Sequence, residues 1–223
     1  MIPLRDTIPS KSFPIINYLI IIANLVVFIH EVRLPEIQLN EFMFKYGLVP
    51  DRILPGVIEM GNYKILTTFF TNIFIHGGLW HFIGNMWFLF IFGDNVEDRM
   101  GKINYLLFYI ITGILASFSH FILHMNSPVP AIGASGAISG VMAAYMFLFP
   151  KSKVITLIPI FYIIPLFVPI PAYIFIGIWF VFQLISGTGH LLSHGSATGI
   201  AFWAHIGGFL AGILLYKLFV PRK

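Results

Sequence analysis

Cysteine is absent from the 223-residue chain, which excludes disulfides, a thiol nucleophile and thiolate metal sites. Charge is scarce as well. Asp, Glu, Lys and Arg make up 10% of the residues and apolar types 58%, whereas a soluble domain carries about 25% charged residues. Mean hydropathy is +0.89. So few charges could not keep the surface of a globular core in water. A soluble enzyme, a disordered chain and a disulfide-stapled secreted domain are therefore excluded.

The charges are also unevenly spread. Residues 12–30, 65–93, 103–150 and 154–216 contain no Asp, Glu, Lys or Arg. A helix needs about 20 apolar residues to cross a bilayer, so the first two runs hold one span each and the others at least two each. The expectation is an all-α polytopic membrane protein, a single domain over residues 1–223 with six transmembrane helices. Their approximate bounds are 14–30, 79–92, 104–124, 135–149, 172–186 and 200–219. The first run lacks a small-residue cleavage site after it and reads as a span, not a signal peptide.

Between the first two spans, Glu31 to Lys64 is too polar to cross and reads as a structured loop with short helices. Pro159, Pro165, Pro169 and Pro171 make residues 156–170 a poor helix, expected as an interfacial or irregular approach to the fifth span. Gly187 to Gly199 reads as a Gly/Ser/His loop. No internal repeat is visible.

Six spans put both termini on one side. With that side cytoplasmic, nine basic residues lie inside: Arg5, Lys11, Arg99, Lys102, Lys151, Lys153, Lys217, Arg222 and Lys223. Only Arg33, Lys45, Arg52 and Lys64 lie outside, in agreement with the positive-inside rule. The basic pI near 9.3 comes from these anchors, so the partner is the lipid bilayer and no nucleic acid is indicated.

Polar groups inside the spans carry the chemical information, because hydrocarbon tolerates them poorly. His81 and Asn85 are four apart on one helical face, either joining helices or donating hydrogen bonds into a site. Ser135, in Gly133-Ala-Ser135-Gly136, starts a helix after a proline-broken loop, where free N–H groups can bind an anion. The alternative is small-residue packing through Gly136 and Gly140. His205, Gly208 and Gly212 share one face of the sixth span, so His205 points at a close helix, as part of a site or as a satisfied core histidine. Packing of that face on the fourth span would bring His205 to Ser135. A nucleophile, a base and two polar donors from three helices are the parts of acyl-transfer catalysis. No Asp or Glu lies in any charge-free run, so these parts would work as a Ser-His dyad. His190 and His194 have metal-ligand spacing, but their glycine-rich surroundings argue against a helix there, and no metal or cofactor is expected.

These residues resemble the rhomboid family of intramembrane serine proteases. His76-Gly-Gly-Leu-Trp-His81-Phe-Ile-Gly-Asn85 resembles HxxxxHxxxN, and Gly93-Asp-Asn-Val-Glu97-Asp-Arg-Met-Gly101 resembles GxxxExxxG. Gly133-Ala-Ser135-Gly136 resembles GxSG, and Ala204-His205-Ile-Gly-Gly208-Phe-Leu-Ala-Gly212 resembles AHxxGxxxG. The resemblance implies Ser135 as nucleophile and His205 as general base, with an oxyanion hole from the Ser135 N–H, His81 and Asn85. His76, Glu97, Gly133, Gly136, Gly208 and Gly212 take structural parts. Transmembrane protein substrates and a cavity open to the external face of a prokaryotic cytoplasmic membrane are implied too. Two departures stand out: Thr67 and Thr68 occupy the place of a family Trp-Arg pair, and Ser139 that of a tyrosine stacking on the histidine. The chain resembles the minimal six-span prokaryotic form. A six-span transporter or channel binding an anionic solute at a broken helix and a proteolytically inactive rhomboid-like binder of membrane proteins are the alternatives.

Overall fold

The computed structural model describes residues 1–160, 164–193 and 201–221. Nine α-helices are described: α1 Ile15–Glu31, α2 Glu36–Tyr46, α3 Pro50–Ile58, α4 Thr68–Thr71, α5 Leu79–Met100, α6 Lys102–Leu123, α7 Ser135–Leu148, α8 Ala172–Ser193 and α9 Phe202–Phe219. Helices α6, α8 and α9 are long and apolar enough to cross a membrane, whereas α1 and α7 are apolar but shorter. At 1.5 Å per residue the 14-residue α7 is about 21 Å long, against a hydrocarbon core of about 30 Å.

The protein is mostly but not entirely helical, and this corrects the all-α expectation. Strands β1 Ile2–Asp6, β2 Lys153–Ile160 and β3 Ile164–Pro171 form an antiparallel sheet in the order β1-β2-β3. Residues 156–170, expected to be irregular, belong to this hairpin, apart from 161–163, which lie outside the described residues. The prolines explain both the failed helix and the strand. Proline lacks an N–H for the ladder and is confined to edges, and β3, with Pro165, Pro169 and Pro171, pairs only with β2. Pro159 lies beyond the stretch of β2 that pairs with β1, which ends at Leu157.

The expected Gly187 to Gly199 loop is also corrected, since α8 continues through Gly187 and Gly189 to Ser193. Residues 194–200, His194 among them, lie outside the described residues, as does the His190 side chain.

Helix α7 is the most enclosed element, with every residue from Gly136 to Tyr145 buried. Helices α6 and α9 cover it, and their small residues set the spacing. A Cβ on Gly208 would run into the carbonyl oxygen of Gly136. One on Gly212 would lie 2.5 Å from the Gly140 oxygen, and one on Gly136 2.5 Å from the Ala116 Cβ. Backbones this close are what glycine faces allow in helix packing.

The loop between α1 and α5 holds the chain ahead of α7. Leu48 and Ala131 exchange backbone hydrogen bonds of 3.0 and 2.7 Å, and the Gly133 N–H donates to the Asn72 carbonyl at 2.9 Å. At the opposite end, the Glu97 carboxylate accepts from the Asn17 N–H at 2.8 Å and the Ile16 N–H at 3.2 Å. It thereby satisfies free donors of the first turn of α1. Asp6 accepts from Asn95 at 2.8 Å and from the Tyr145 hydroxyl at 2.5 Å, fastening β1 to α5 and α7. Burial raises the Asp6 carboxyl above the usual carboxylate range, and the Tyr145 hydrogen bond offsets part of that rise.

The α7–α9 contact yields a stability prediction. Gly208→Ala must separate two backbones, and overpacking a tight contact costs about 1–3 kcal/mol, so its thermal midpoint in detergent should fall. Gly177 in α8 has nothing within 4 Å of an added Cβ. Gly177→Ala should keep or raise the midpoint, since alanine is the better helix former.

Candidate active site

Ser135 is the first residue of α7 and follows Gly133, whose φ of +124° belongs to a region that side-chain-bearing residues rarely adopt. A Cβ there would also lie 2.7 Å from the His81 Nε2. Glycine is therefore needed twice over, for the turn into α7 and for the approach of His81. The first N–H groups of a helix have no partner within it, so the Ser135 N–H faces outward at the positive helix end.

His205 lies in the first turn of α9. Its Nε2 is 2.7 Å from the Ser135 Oγ, brought there by the glycine contacts between α7 and α9. The other ring nitrogen, Nδ1, is 2.7 Å from the Gln183 Oε1 on α8. The amide of Gln183 also donates to the Trp179 carbonyl at 3.4 Å, which turns its oxygen towards the imidazole. Nδ1–H then donates to Gln183, and Nε2 is left to accept from the Ser135 hydroxyl.

His81 and Asn85 extend from α5 on the same side. The Gly77 N–H points at the His81 Nδ1 from 3.3 Å, so in the neutral ring the proton sits on Nε2, the atom beside Gly133. The Asn85 Nδ2 is buried with no hydrogen-bond partner among the described residues. Both side chains line a cavity of about 710 Å³, with Ser135, His205, Trp80, Phe88, Ile138, Met142 and Trp179 among its other walls. Its lining is apolar apart from a few polar groups that converge near Ser135, the usual character of a site for a small ligand or a side chain.

The remaining motif residues support this arrangement from outside it. His76 is buried between Phe28, His81 and Phe82, with ring centroids 6.5, 5.2 and 5.4 Å away. Its backbone N–H is 3.2 Å from both Glu31 carboxylate oxygens. Burial, with His81 beside it, holds the His76 imidazole down to about 3, so it stays neutral. Glu97 belongs to the α1 cap at the other end of α5. Ser139, one turn into α7, donates to the Ser135 carbonyl at 2.6 Å and does not touch the imidazole. The rings beside His205 are instead Trp179, with centroids 5.9 Å apart and planes tilted by 35°, and Phe202, edge-on at 6.4 Å.

Gln183 and Trp179 were not singled out from the sequence. The signal for Gln183 was present, because it is an amide inside a charge-free run, the feature that drew attention to Asn85. Ser186 is its one polar neighbour at helical spacing and gives it no direction, which only the packing of α8 on α9 supplies. Together these groups can deprotonate the Ser135 hydroxyl through His205 and offer hydrogen-bond donors to an anion formed next to it. No group of three or more His, Cys, Asp or Glu side chains able to hold a metal occurs among the described residues.

Residues 64–222 match the Rhomboid domain family. The mitochondrial rhomboid protein 1 of Saccharomyces cerevisiae is 31% identical over 147 residues, 64% of this chain and 39% of that protein. The rhomboid protease GluP of Bacillus subtilis is 37% identical over 78 residues, 35% of this chain and 15% of its own length. The chloroplastic rhomboid-like protein 11 of Arabidopsis thaliana is 34% identical over 82 residues, 37% of this chain and 29% of the relative. The chain thus spans well under half the length of each of these relatives.

The unpaired Asn85 amide separates a helix-joining role from a donor role. A buried donor without a partner costs about 1–3 kcal/mol, so Asn85→Ala should leave the thermal midpoint unchanged or raise it. A clear fall would mean that the amide holds helices together.

Proposed function

The chain belongs to the rhomboid domain family, and we propose that it is an intramembrane serine endopeptidase cleaving single-span membrane proteins at or near the external end of the span. The observation that carries this reading is the 2.7 Å approach of the His205 Nε2 to the Ser135 Oγ, at the mouth of a helix and beside a cavity.

In the reaction, the Ser135 Oγ attacks the scissile carbonyl carbon while its proton passes to His205 Nε2. Negative charge builds on the carbonyl oxygen, where the Ser135 N–H, the His81 Nε2–H and the Asn85 amide are the available donors. The imidazolium returns its proton to the leaving amine, an acyl-enzyme remains on Ser135, and water activated by His205 releases it. A peptide bond must be extended to reach these atoms. Substrates therefore carry helix-destabilising residues near the end of their span, and the apolar cavity wall receives a side chain beside the cut.

Six spans, made by α1 and α5 to α9, suit this chemistry. The α7 helix is too short to cross the hydrocarbon alone, which is consistent with a Ser135 set below the membrane surface and reached by water through the cavity. Arg5, Lys11, Arg99, Lys102, Lys151, Lys153 and Lys217 belong to the end of the helical bundle away from Ser135. That supports termini in the cytoplasm and a cavity open to the outside, in a membrane of prokaryotic cytoplasmic type.

The test is cleavage of a single-span reporter in proteoliposomes. Ser135→Ala should abolish it with the fold intact, and Ser139→Ala should retain most of it, because that hydroxyl is committed to the helix backbone. Cleavage by Ser135→Ala at the parental rate would overturn the proposal. Asn85→Ala should lower kcat by about 10²–10³-fold.

A further inference from the structure

We infer that Gln183 is a positioning residue for the base, a neutral third partner that selects the tautomer of His205; this rests on the proposed serine peptidase chemistry. Three helices meet at the imidazole. Helix α7 brings Ser135 to Nε2, α9 carries the ring, and α8 brings the Gln183 Oε1 to within 2.7 Å of Nδ1. An imidazole can accept the serine proton at Nε2 only when its own proton resides on Nδ1, and the bond made by one ring nitrogen sets the state of the other. In serine triads a carboxylate does this, and the wrong tautomer costs about 10⁴-fold in kcat.

Helices α7, α8 and α9, which meet at the ring, contain no Asp or Glu. An amide oxygen supplies the acceptor without the cost of a buried charge. Its own orientation is held by the hydrogen bond from its NH₂ group to the Trp179 carbonyl. Trp179, one turn before Gln183, also packs beside the ring, so a single face of α8 holds both the plane of the imidazole and its proton. The third partner thus comes from a helix other than the two locked together by glycine, and the position of α8 becomes part of the catalytic geometry.

The experiment compares parent, Gln183→Leu, Gln183→Glu and Ser135→Ala in proteoliposomes, with thermal midpoints measured alongside. Gln183→Leu should lower kcat by about 10–10²-fold, less than loss of a charged orienter costs, with KM and the midpoint near parental values. Gln183→Glu keeps the shape and an acceptor oxygen but loses the NH₂ donor to Trp179, and should recover kcat to well above that of Gln183→Leu. Parental kcat in Gln183→Leu would overturn the inference, and so would equal losses in the Leu and Glu variants that follow the folded fraction. ¹⁵N NMR of histidine-labelled parent protein, with His205 assigned by its loss in His205→Ala, tests the tautomer without relying on any Gln183 variant. The inference requires protonated Nδ1 and unprotonated Nε2, and the reverse pattern overturns it. Cleavage by Ser135→Ala would instead refute the peptidase reading itself.

Discussion

Two helix backbones lie in contact where α7 crosses α9, and the site depends on that closeness. Gly136 and Gly140 on one helix face Gly208 and Gly212 on the other, with no room for a Cβ between them. In hydrocarbon there is no hydrophobic drive to press two apolar helices together, so shape and close contact must do it. His205 lies one turn before Gly208, and Ser135 is next to Gly136. The contact that holds the helices together therefore also sets the distance from imidazole to hydroxyl. Elsewhere α6 presents Ala116 and Thr112 to the same glycine face of α7, so the helix of Ser135 has little freedom to shift away from His205.

The second constraint is the expense of polar groups away from water. Several of those near Ser135 are satisfied within the protein, while the ring nitrogens of His76 and the His120 Nδ1 are buried without a hydrogen-bond partner among the described residues. Ser139 returns its hydrogen bond to its own helix, His76 stays neutral among aromatic rings, and Asn72 and Ser117 satisfy one another at 2.9 Å. The Asn85 amide is also buried and unpaired among the described residues, and it lines the same cavity as Ser135. A donor left without a partner costs free energy in the resting protein, and it repays that cost only where charge develops during a reaction. Charged residues that the fold does keep, such as Glu97 and Asp98, are spent on the N-terminal segment at the other end of α5.

Much of the helical framework was legible in the sequence because charge and proline mark helix ends strongly. Ser135 after Pro128 and Pro130, and Ala172 after Pro171, start helices at the expected residues. Six spans were expected, while three helices meet both length and composition, because α1 and α7 are short and polar residues such as His81, Asn85 and Asp94 lower the hydropathy of α5. The hairpin at 153–171 was missed for a physical reason: proline rules out helix but permits an edge strand, and the choice depended on β1, far away in sequence. The Gly187 region was misread for the opposite reason. Isolated glycines weaken a helix by only about 1 kcal/mol each, and α8 runs through Gly187 and Gly189. Ser135, His205, His81 and Asn85 could be picked out as misplaced polar groups, but the partnership of Gln183 with His205 joins two helices and has no signature in local spacing.

The central claim is that His205 makes Ser135, and no other serine, a nucleophile at the end of α7. Reaction of the membrane-embedded protein with a fluorophosphonate, followed by mass spectrometry of the modified peptide, tests it most directly. Phosphonylation at Ser135 in the parent and its loss in His205→Ala are the predicted result. An adduct at Ser139 or another serine, or Ser135 labelling that persists undiminished without His205, would contradict it.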